Sequence, residues 1–309
     1  MPRSTPPGGA LSLCLLLAAC GTSPLASAGS DLDPGQGAGP AAGGTGSAAS
    51  DPKVSPAPPQ ATIVLIHGMG GFRKVAGLDY FFGVPAAWRA AGARVFVPGT
   101  TMLASVEKRA GELQRQLDAV PGPLILVGHS QGGLDARFLL SRLGYGGRVR
   151  ALVTLATPHR GSPVADLLLG AAGSGAVAAA DVLLGELGWS LDGAREVTVQ
   201  YMNGTFNPTV PDLPGVTYWS YSGRAAPLAQ GRGNGWLHGA LLPTWGLLEA
   251  LHQPSDGVVP EASAHWGEFQ GAIPADHLGE VGQPLGATPV FDHRAFYRAL
   301  LQRFHDQGW

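Results

Sequence analysis

From residue 61 onward, the chain repeats one pattern, in which a short run of apolar residues is followed by a longer, helix-like stretch. Short and nearly continuous apolar runs are typical of strands that are buried on both faces of a parallel sheet. The strands predicted in this way are residues 61–66, 94–97, 123–127, 150–155 and 218–221.

Helix-like stretches separate these strands, and one more closes the chain. They are predicted at residues 84–91, 104–119, 133–143 and 292–306. Strands that alternate with helices form βαβ units, in which neighbouring strands run parallel. The pattern therefore predicts an α/β fold with a mostly parallel central sheet and helices on both faces.

The first residues of the chain have the pattern of an export signal. Arg3 precedes an apolar run at residues 11–19, which is too short to span a bilayer. The run ends in Leu17–Cys20, which resembles the lipobox of bacterial lipoproteins, where the cysteine is acylated and becomes the new N-terminus. We therefore expect residues 1–20 to be a lipoprotein signal peptide and the exported protein to be anchored in a membrane through Cys20. Secretion after cleavage near residues 26–28 is the alternative.

A segment of small and polar residues separates this signal from the predicted strands. Residues 21–60 consist mainly of Gly, Ala, Ser and Pro. Such a segment cannot bury enough apolar surface to offset the entropy lost on ordering, so we expect a disordered tether. The remaining residues, 61–309, are of a length that one α/β domain commonly has.

Charge and cysteine content exclude several kinds of chemistry. Lys and Arg number 20 against 22 Asp and Glu, so the chain lacks the basic excess that nucleic-acid binding normally requires. The two cysteines, Cys14 and Cys20, both lie in the export segment. The predicted domain therefore has no internal disulfide, thiolate metal site or cysteine nucleophile.

Residues 128–132 have the sequence GHSQG and lie between a predicted strand and a predicted helix. A G-x-S-x-G motif in this position is typical of a nucleophile elbow, in which a tight turn lifts the serine hydroxyl clear of the sheet. An ordinary glycine-rich turn is the alternative. Ser130 is therefore the candidate nucleophile.

A second glycine-rich segment, His67–Gly71, follows the first predicted strand. Acyl transfer needs two preorganised donors for the oxyanion, one from the residue after the nucleophile and one from such an upstream loop. The backbone N–H groups of Gln131 and Met69 are the candidates. We expect the side chain of His67 to have a structural role.

A serine nucleophile needs a histidine base, which in the chain order of α/β hydrolases comes after the acid. His277 lies in a loop at the required late position. His159 comes too early. His293 and His305 fall in the predicted terminal helix, where we expect solvated side chains.

The candidate acid is Asp256, in an Asp-Gly turn that we expect to lead into a strand. Asp-Gly most often marks an ordinary turn, which is the alternative for this residue. Asp276, adjacent to His277, and Asp212, far upstream, are weaker candidates. Ser130, Asp256 and His277 are thus predicted to form a catalytic triad.

Taken in order, these motifs resemble the true lipases of Pseudomonas and Burkholderia. Besides the two glycine-rich segments, the resemblance rests on residues 78–85, 156–162, 218–223, 256–259 and 276–281. It implies an α/β-hydrolase fold with a helical lid or cap, and it assigns the same triad and oxyanion donors. It also implies a triacylglycerol lipase that works through an acyl-enzyme.

The chain departs from this family at its structural calcium. The family has an aspartate ligand two residues after the catalytic histidine, where this chain has Gly279. The second aspartate has no counterpart that can be placed. Gln283 could still offer its backbone carbonyl, but two carbonyls without carboxylates would hold Ca²⁺ weakly, so we expect no calcium. Some relatives also need a dedicated foldase, about which the sequence is silent.

The family's lid corresponds to residues 163–191, which carry several apolar side chains, among them Val177, Val182 and Trp189. A mobile lid and a fixed cap packed on the core both account for this composition. The function expected is thus hydrolysis of carboxylic esters, most directly of triacylglycerol. A short-chain esterase, a polyester depolymerase, an acyl transferase to alcohols and a non-catalytic binding protein on the same fold remain the alternatives.

Overall fold

The computed structural model of the protein describes residues 60–75, 78–185, 190–227, 236–284 and 290–309. The predicted signal peptide, Cys20 and all of the predicted tether except Gln60 lie outside the described residues, as does Trp189 of the predicted lid. The strands are β1 (Thr62–Ile66), β2 (Lys74–Val75), β3 (Leu78–Asp79), β4 (Val95–Phe96), β5 (Leu124–His129), β6 (Val149–Leu155), β7 (Thr217–Gly223) and β8 (Glu268–Ile273).

Helices fill most of the connections. They are α1 (Val84–Ala90), α2 (Val106–Leu117), α3 (Gln131–Arg142), α4 (Pro163–Gly185), α5 (Asp192–Glu196), α6 (Val199–Tyr201), α7 (Asn207–Thr209), α8 (Leu242–Ala250), α9 (Glu261–Ala264) and α10 (His293–Asp306). A π-helical turn at Met202–Phe206 joins α6 to α7. Within the described residues, no helix combines the length and the apolar character that a membrane crossing requires.

Six strands form one sheet in the order β4-β1-β5-β6-β7-β8, and each neighbouring pair is parallel. This confirms the predicted parallel sheet. The register pairs Ile66 with Gly128, so the segment after β1 and the turn after β5 leave the same edge side by side. Farther along the strand order, Gly223 pairs with Ile273, which brings the segments after β7 and β8 together at the same carboxyl edge of the sheet.

The sheet is covered on both faces, as predicted. Alternate residues of β1 and β5, such as Leu65 and Val127, face a core that includes Trp88 of α1 and Phe304 of α10. The other residues of these strands face α2 and α3. They pack against Ala110, Leu113, Leu117, Ala136, Leu139 and Leu140.

The ends of the helices follow from local capping. Ser105 accepts a hydrogen bond from the N–H of Lys108 and starts α2, and Asp292 accepts one from Ala295 and starts α10. Each of these satisfies a backbone donor that has no partner within the helix.

Two local expectations are wrong. No strand follows Asp256, because its Oδ1 accepts the N–H groups of Val258 and Val259, both at 2.7 Å, and so engages the donors that a strand would use. His293 is not solvated but buried at the start of α10, with Nε2 2.9 Å from the carbonyl oxygen of Phe82.

Candidate active site

Ser130 lies at the turn between β5 and α3, in a strained backbone conformation. Its φ of 55° and ψ of −132° are unusual for a residue with a side chain, and its N–H donates to the carbonyl of Leu155 on β6. A Cβ at Gly132 would lie 2.5 Å from the carbonyl oxygen of Ile66, so the close approach of α3 to β1 requires glycine there. The geometry is that of a nucleophile elbow.

Two backbone N–H groups lie beside this serine. Gln131 is the first residue of α3, so its N–H has no acceptor within the helix. Met69 lies in the segment after β1, where the neighbouring N–H groups of Gly70 and Gly71 donate to Met102 and Gly68. Among the described residues, no backbone carbonyl accepts from Met69 or Gln131. Both groups are therefore available to an oxyanion.

The structure brings the predicted base and the predicted acid together. His277 Nδ1 lies 2.7 Å from Asp256 Oδ2, and its backbone N–H donates to the carbonyl of Asp256. Asp256 is fully buried, and its other carboxylate oxygen accepts the two backbone N–H groups described above. Hydrogen bonds of this kind stabilise an ionised carboxylate that can hold the imidazole in one tautomer.

Ser130 and His277 both line one cavity of about 250 Å³, together with Met69 and Gln131. The walls of this cavity are mostly apolar. They include Phe72, Pro158, Val164, Leu168, Leu169, Val197, Leu241, Val258, Leu278 and Val281. The first turns of α4, the segment predicted to be a lid or cap, thus form part of the wall.

The alternative acids do not meet the candidate base. The oxygens of Asp276 accept the N–H groups of Gly279 and His238, and burial raises the pKa of this carboxyl. Asp212 accepts from the indole of Trp266. Of the three aspartates considered, Asp256 is the one that hydrogen-bonds to His277.

Two other histidines have structural surroundings. His67 is buried, and its Nε2 accepts from the backbone N–H of Thr100, while burial lowers the pKa of the ring to about 3. His159 is fully buried, stacks on Trp266 and hydrogen-bonds to Thr154, and burial lowers its pKa well below the usual range. Both rings are therefore neutral.

A buried hydrogen-bonded chain behind the candidate triad has no counterpart in the sequence analysis. The hydroxyl of Tyr80 lies 2.8 Å from Nδ1 of His129, whose Nε2 lies 2.9 Å from Oε2 of Glu280. The ring of His129 also lies against that of His277, with centroids 4.5 Å apart. The signal in the sequence was weak, because His129 is the variable position of its motif.

Residues His129, His277 and Glu280 also form a group whose nitrogen and oxygen atoms lie within 4.8 Å of one another, as in metal sites. In this protein, His129 is hydrogen-bonded to Glu280, and His277 to Asp256. The arrangement is that of a hydrogen-bonded network.

The residues at the family's calcium position do not fit that ion. Gly279 has no side chain, and its N–H donates to Asp276, whose two oxygens are engaged by backbone donors. The side chain of Gln283 donates to the carbonyls of Asp79 and Tyr80. Calcium takes six to eight oxygen ligands, often from carboxylates, and this donor set does not offer them.

Arg109 links the segment His67–Gly71, which carries a candidate oxyanion donor, to the core. This arginine was not identified from the sequence. It is fully buried and donates to Asp135 Oδ2 at 2.8 Å, to the carbonyl of Thr101 at 2.8 Å and to that of His67 at 2.7 Å. The carbonyl of His67 is two residues from the candidate donor Met69, so the guanidinium positions this segment.

We expect Arg109→Met to lower the free energy of unfolding by about 3–5 kcal/mol, since it leaves Asp135 buried without its partner. Urea unfolding of the variant measures this loss. The double variant Arg109→Met/Asp135→Leu, which removes both charges, should recover part of it. A loss below about 1 kcal/mol in the single variant, the range of exposed ion pairs, would contradict the role of this pair.

Comparisons with known proteins are consistent across sequence and structure. Residues 95–169, which include Ser130, match the family model of a PGAP1-like alpha/beta domain. A triacylglycerol lipase of Vibrio cholerae is 29% identical, over 80% of this chain and 88% of the relative. One of Burkholderia plantarii is 33% identical, over 34% of this chain and 32% of the relative. The crystal structure of a Staphylococcus hyicus lipase superposes with a TM-score of 0.63 at 17% identity, over 84% of this chain and 98% of that one.

Proposed function

We propose that the chain is a lipase of the α/β-hydrolase superfamily and that it hydrolyses carboxylic esters of lipids through Ser130, His277 and Asp256. One observation carries the proposal. A strained serine, a histidine bound to a buried aspartate and two free backbone N–H groups meet at a single apolar cavity.

In the proposed reaction, His277 takes the proton of Ser130 as the hydroxyl oxygen attacks the ester carbonyl. Asp256 accepts a hydrogen bond from Nδ1 of His277, which leaves Nε2 free to act as the base. The N–H groups of Met69 and Gln131 stabilise the oxyanion. The alcohol leaves with the proton from His277, and water then releases the acid from the acyl-enzyme.

The lining of the cavity supports the proposal that the substrate is a lipid. Its walls are mostly apolar, as an acyl chain requires, and each buried methylene contributes about 0.8 kcal/mol. Two leucines beside wall residues are also exposed, Leu167 at 51% and Leu242 at 50%. Exposed apolar side chains that neighbour the cavity-lining residues in the chain favour contact with an ester aggregate.

Rates of hydrolysis of p-nitrophenyl butyrate, p-nitrophenyl palmitate and emulsified triolein test this proposal. We expect activity on all three, with palmitate at least equal to butyrate in kcat/KM because the cavity wall is apolar. The Ser130→Ala variant serves as the control. Activity confined to butyrate would make the protein a short-chain esterase, and release of acid from polymer films alone would make it a polyester depolymerase.

We also propose that the activity does not depend on a bound calcium ion, and the same assays in the presence of EDTA test this. We expect the rates to stay within about twofold, because the donor set around Gly279 does not suit Ca²⁺. Loss of activity with EDTA and recovery with added Ca²⁺ would show that a calcium ion is bound after all.

A further inference from the structure

Glu280, which the reaction above does not use, is buried beside the acid of the candidate triad. It lies in the 3-10 turn Gly279–Val281, three residues after His277, and is 0% exposed. Its Oε2 lies 2.9 Å from His129 Nε2. Its Oε1 is buried and accepts no hydrogen bond from any of the described residues.

The position of Oε1 is set by the end of β7. A Cβ at Gly223 would lie 1.9 Å from Oε1 of Glu280 and 2.8 Å from Cβ of Asp256. Both acids therefore lie against the same glycine, and a larger residue would displace Glu280. The space that glycine leaves at position 223 lets Oε1 of Glu280 lie beside the side chain of Asp256.

The surroundings of Glu280 disfavour a negative charge. Burial and the neighbouring charges of Asp256 and Asp276 raise the pKa of this carboxyl well above its usual range. Three more titratable groups surround it. They are His129, whose pKa is lowered by burial and by His277, Tyr297, whose pKa is raised by burial, and His277, a ring nitrogen of which lies within 4.8 Å of a carboxyl oxygen of Glu280. Neither His129 nor Tyr297 is a cation, and His277 is hydrogen-bonded to Asp256, so an ionised Glu280 would be a buried charge without a cationic partner of its own.

We propose that Glu280 is a positioning residue that keeps its proton while the enzyme works and donates it from Oε1 to the carboxylate of Asp256. The proposal rests on the proposed function, since it concerns the acid of that same site. A protonated acid has one donor and one acceptor, and both then have partners, because Oε2 accepts from Nε2–H of His129.

This assignment fixes every proton of the chain behind the site. His129 is neutral with its proton on Nε2, so Nδ1 is free to accept from the hydroxyl of Tyr80 at 2.8 Å. Tyr80 itself lines the cavity. The donors therefore point in one direction, from Tyr80 through His129 and Glu280 to Asp256.

The neutral state matters for the base. An ionised Glu280 would place a second negative charge behind Asp256, and this charge would attract the proton that His277 has to pass on to the leaving alcohol. A neutral donor instead adds a hydrogen bond to Asp256 without adding charge. It also anchors His129, whose ring packs against that of His277.

Two variants of nearly equal size separate these effects. In Glu280→Gln, the amide keeps one donor for Asp256 and one acceptor for His129, so we expect kcat/KM to stay within about threefold. In Glu280→Leu, both are lost and His129 keeps an unpaired buried donor. For this variant we expect kcat to fall about tenfold to hundredfold with little change in KM.

The pH profile of kcat/KM and infrared spectra decide the protonation state. If Glu280 is neutral, Glu280→Gln leaves the acid limb of the profile in place, and the wild type at neutral pH shows a carboxylic-acid carbonyl band that the variant lacks. An acid limb that moves down by about one pH unit, as the loss of a nearby charge would cause, or the absence of that band would overturn the proposal. A Gln variant as impaired as the Leu variant would overturn it as well. The infrared spectrum needs no turnover, so this test can fail or succeed independently of the proposed function.

Discussion

Replacing Ser130 by alanine is expected to lower kcat for ester hydrolysis by about 10⁴- to 10⁶-fold while the protein stays folded. Alanine removes the oxygen that would form the acyl-enzyme but leaves the cavity, the two N–H groups and the pair of His277 and Asp256 in place. The strained backbone at residue 130 is the same for both side chains, so the thermal midpoint should change little. Turnover of p-nitrophenyl butyrate and a thermal melt measure the two quantities.

A matched control comes from the helix that begins at the elbow. Ser141→Ala makes the same chemical change near the other end of α3 and should leave the rate unchanged. A serine-reactive phosphonate should label the wild type and Ser141→Ala at Ser130, and should not label Ser130→Ala. Full activity of Ser130→Ala, or labelling elsewhere with retained turnover, would assign the nucleophile to another residue.

Asp256→Asn is the second substitution with a large expected effect, a fall in kcat of about 10³- to 10⁴-fold with KM nearly unchanged. The reason lies in the two backbone N–H groups of Val258 and Val259, both 2.7 Å from Oδ1. These donors hold the oxygen of an asparagine amide on their side, so its NH₂ group is left facing Nδ1 of His277. That nitrogen must then accept, and the proton moves to Nε2, where the base is needed. Kinetics on a soluble ester measure the loss.

The other aspartates considered from the sequence provide the controls. Asp212→Asn changes an exposed carboxylate that accepts from Trp266 and should keep kcat within about twofold, as surface substitutions usually do. Asp276→Asn should reduce stability, because both of its oxygens accept backbone N–H groups, with a much smaller effect on kcat than Asp256→Asn. An active Asp256→Asn together with an inactive Asp276→Asn would reassign the acid.

The fold was largely predictable because its strands are buried on both faces. A buried parallel strand must be apolar at nearly every position, and β1, β5 and β6 are visible in the sequence for that reason. Within the six-stranded sheet, the exception is β8 at one edge, where only Ile273 is buried, so the sequence predicted no strand there. The short strands β2 and β3 of the separate two-stranded sheet were not predicted either. An edge strand packs on one side only, which weakens the apolar pattern.

The errors also have local causes. The buried His293 was expected on a solvated helix face, since helical spacing does not reveal which loop packs against the end of a helix. The strand expected after Asp256 is replaced by a turn that the aspartate itself stabilises. The same hydrogen bonds that remove the strand fix the orientation of the carboxylate toward His277.

The sequence by itself determined the residue types, their order and their local turns, because a nucleophile elbow is encoded within five consecutive residues. Local patterns alone therefore identified Ser130 and both candidate oxyanion donors. Which aspartate faces His277 was decided by the tertiary structure, since the parallel register of β7 and β8 joins segments far apart in the chain. The same holds for Glu280, His129 and Tyr80. No local pattern marks these residues. Only the packed fold buries Glu280 and His129 and brings the partly buried Tyr80 within hydrogen-bond distance of His129.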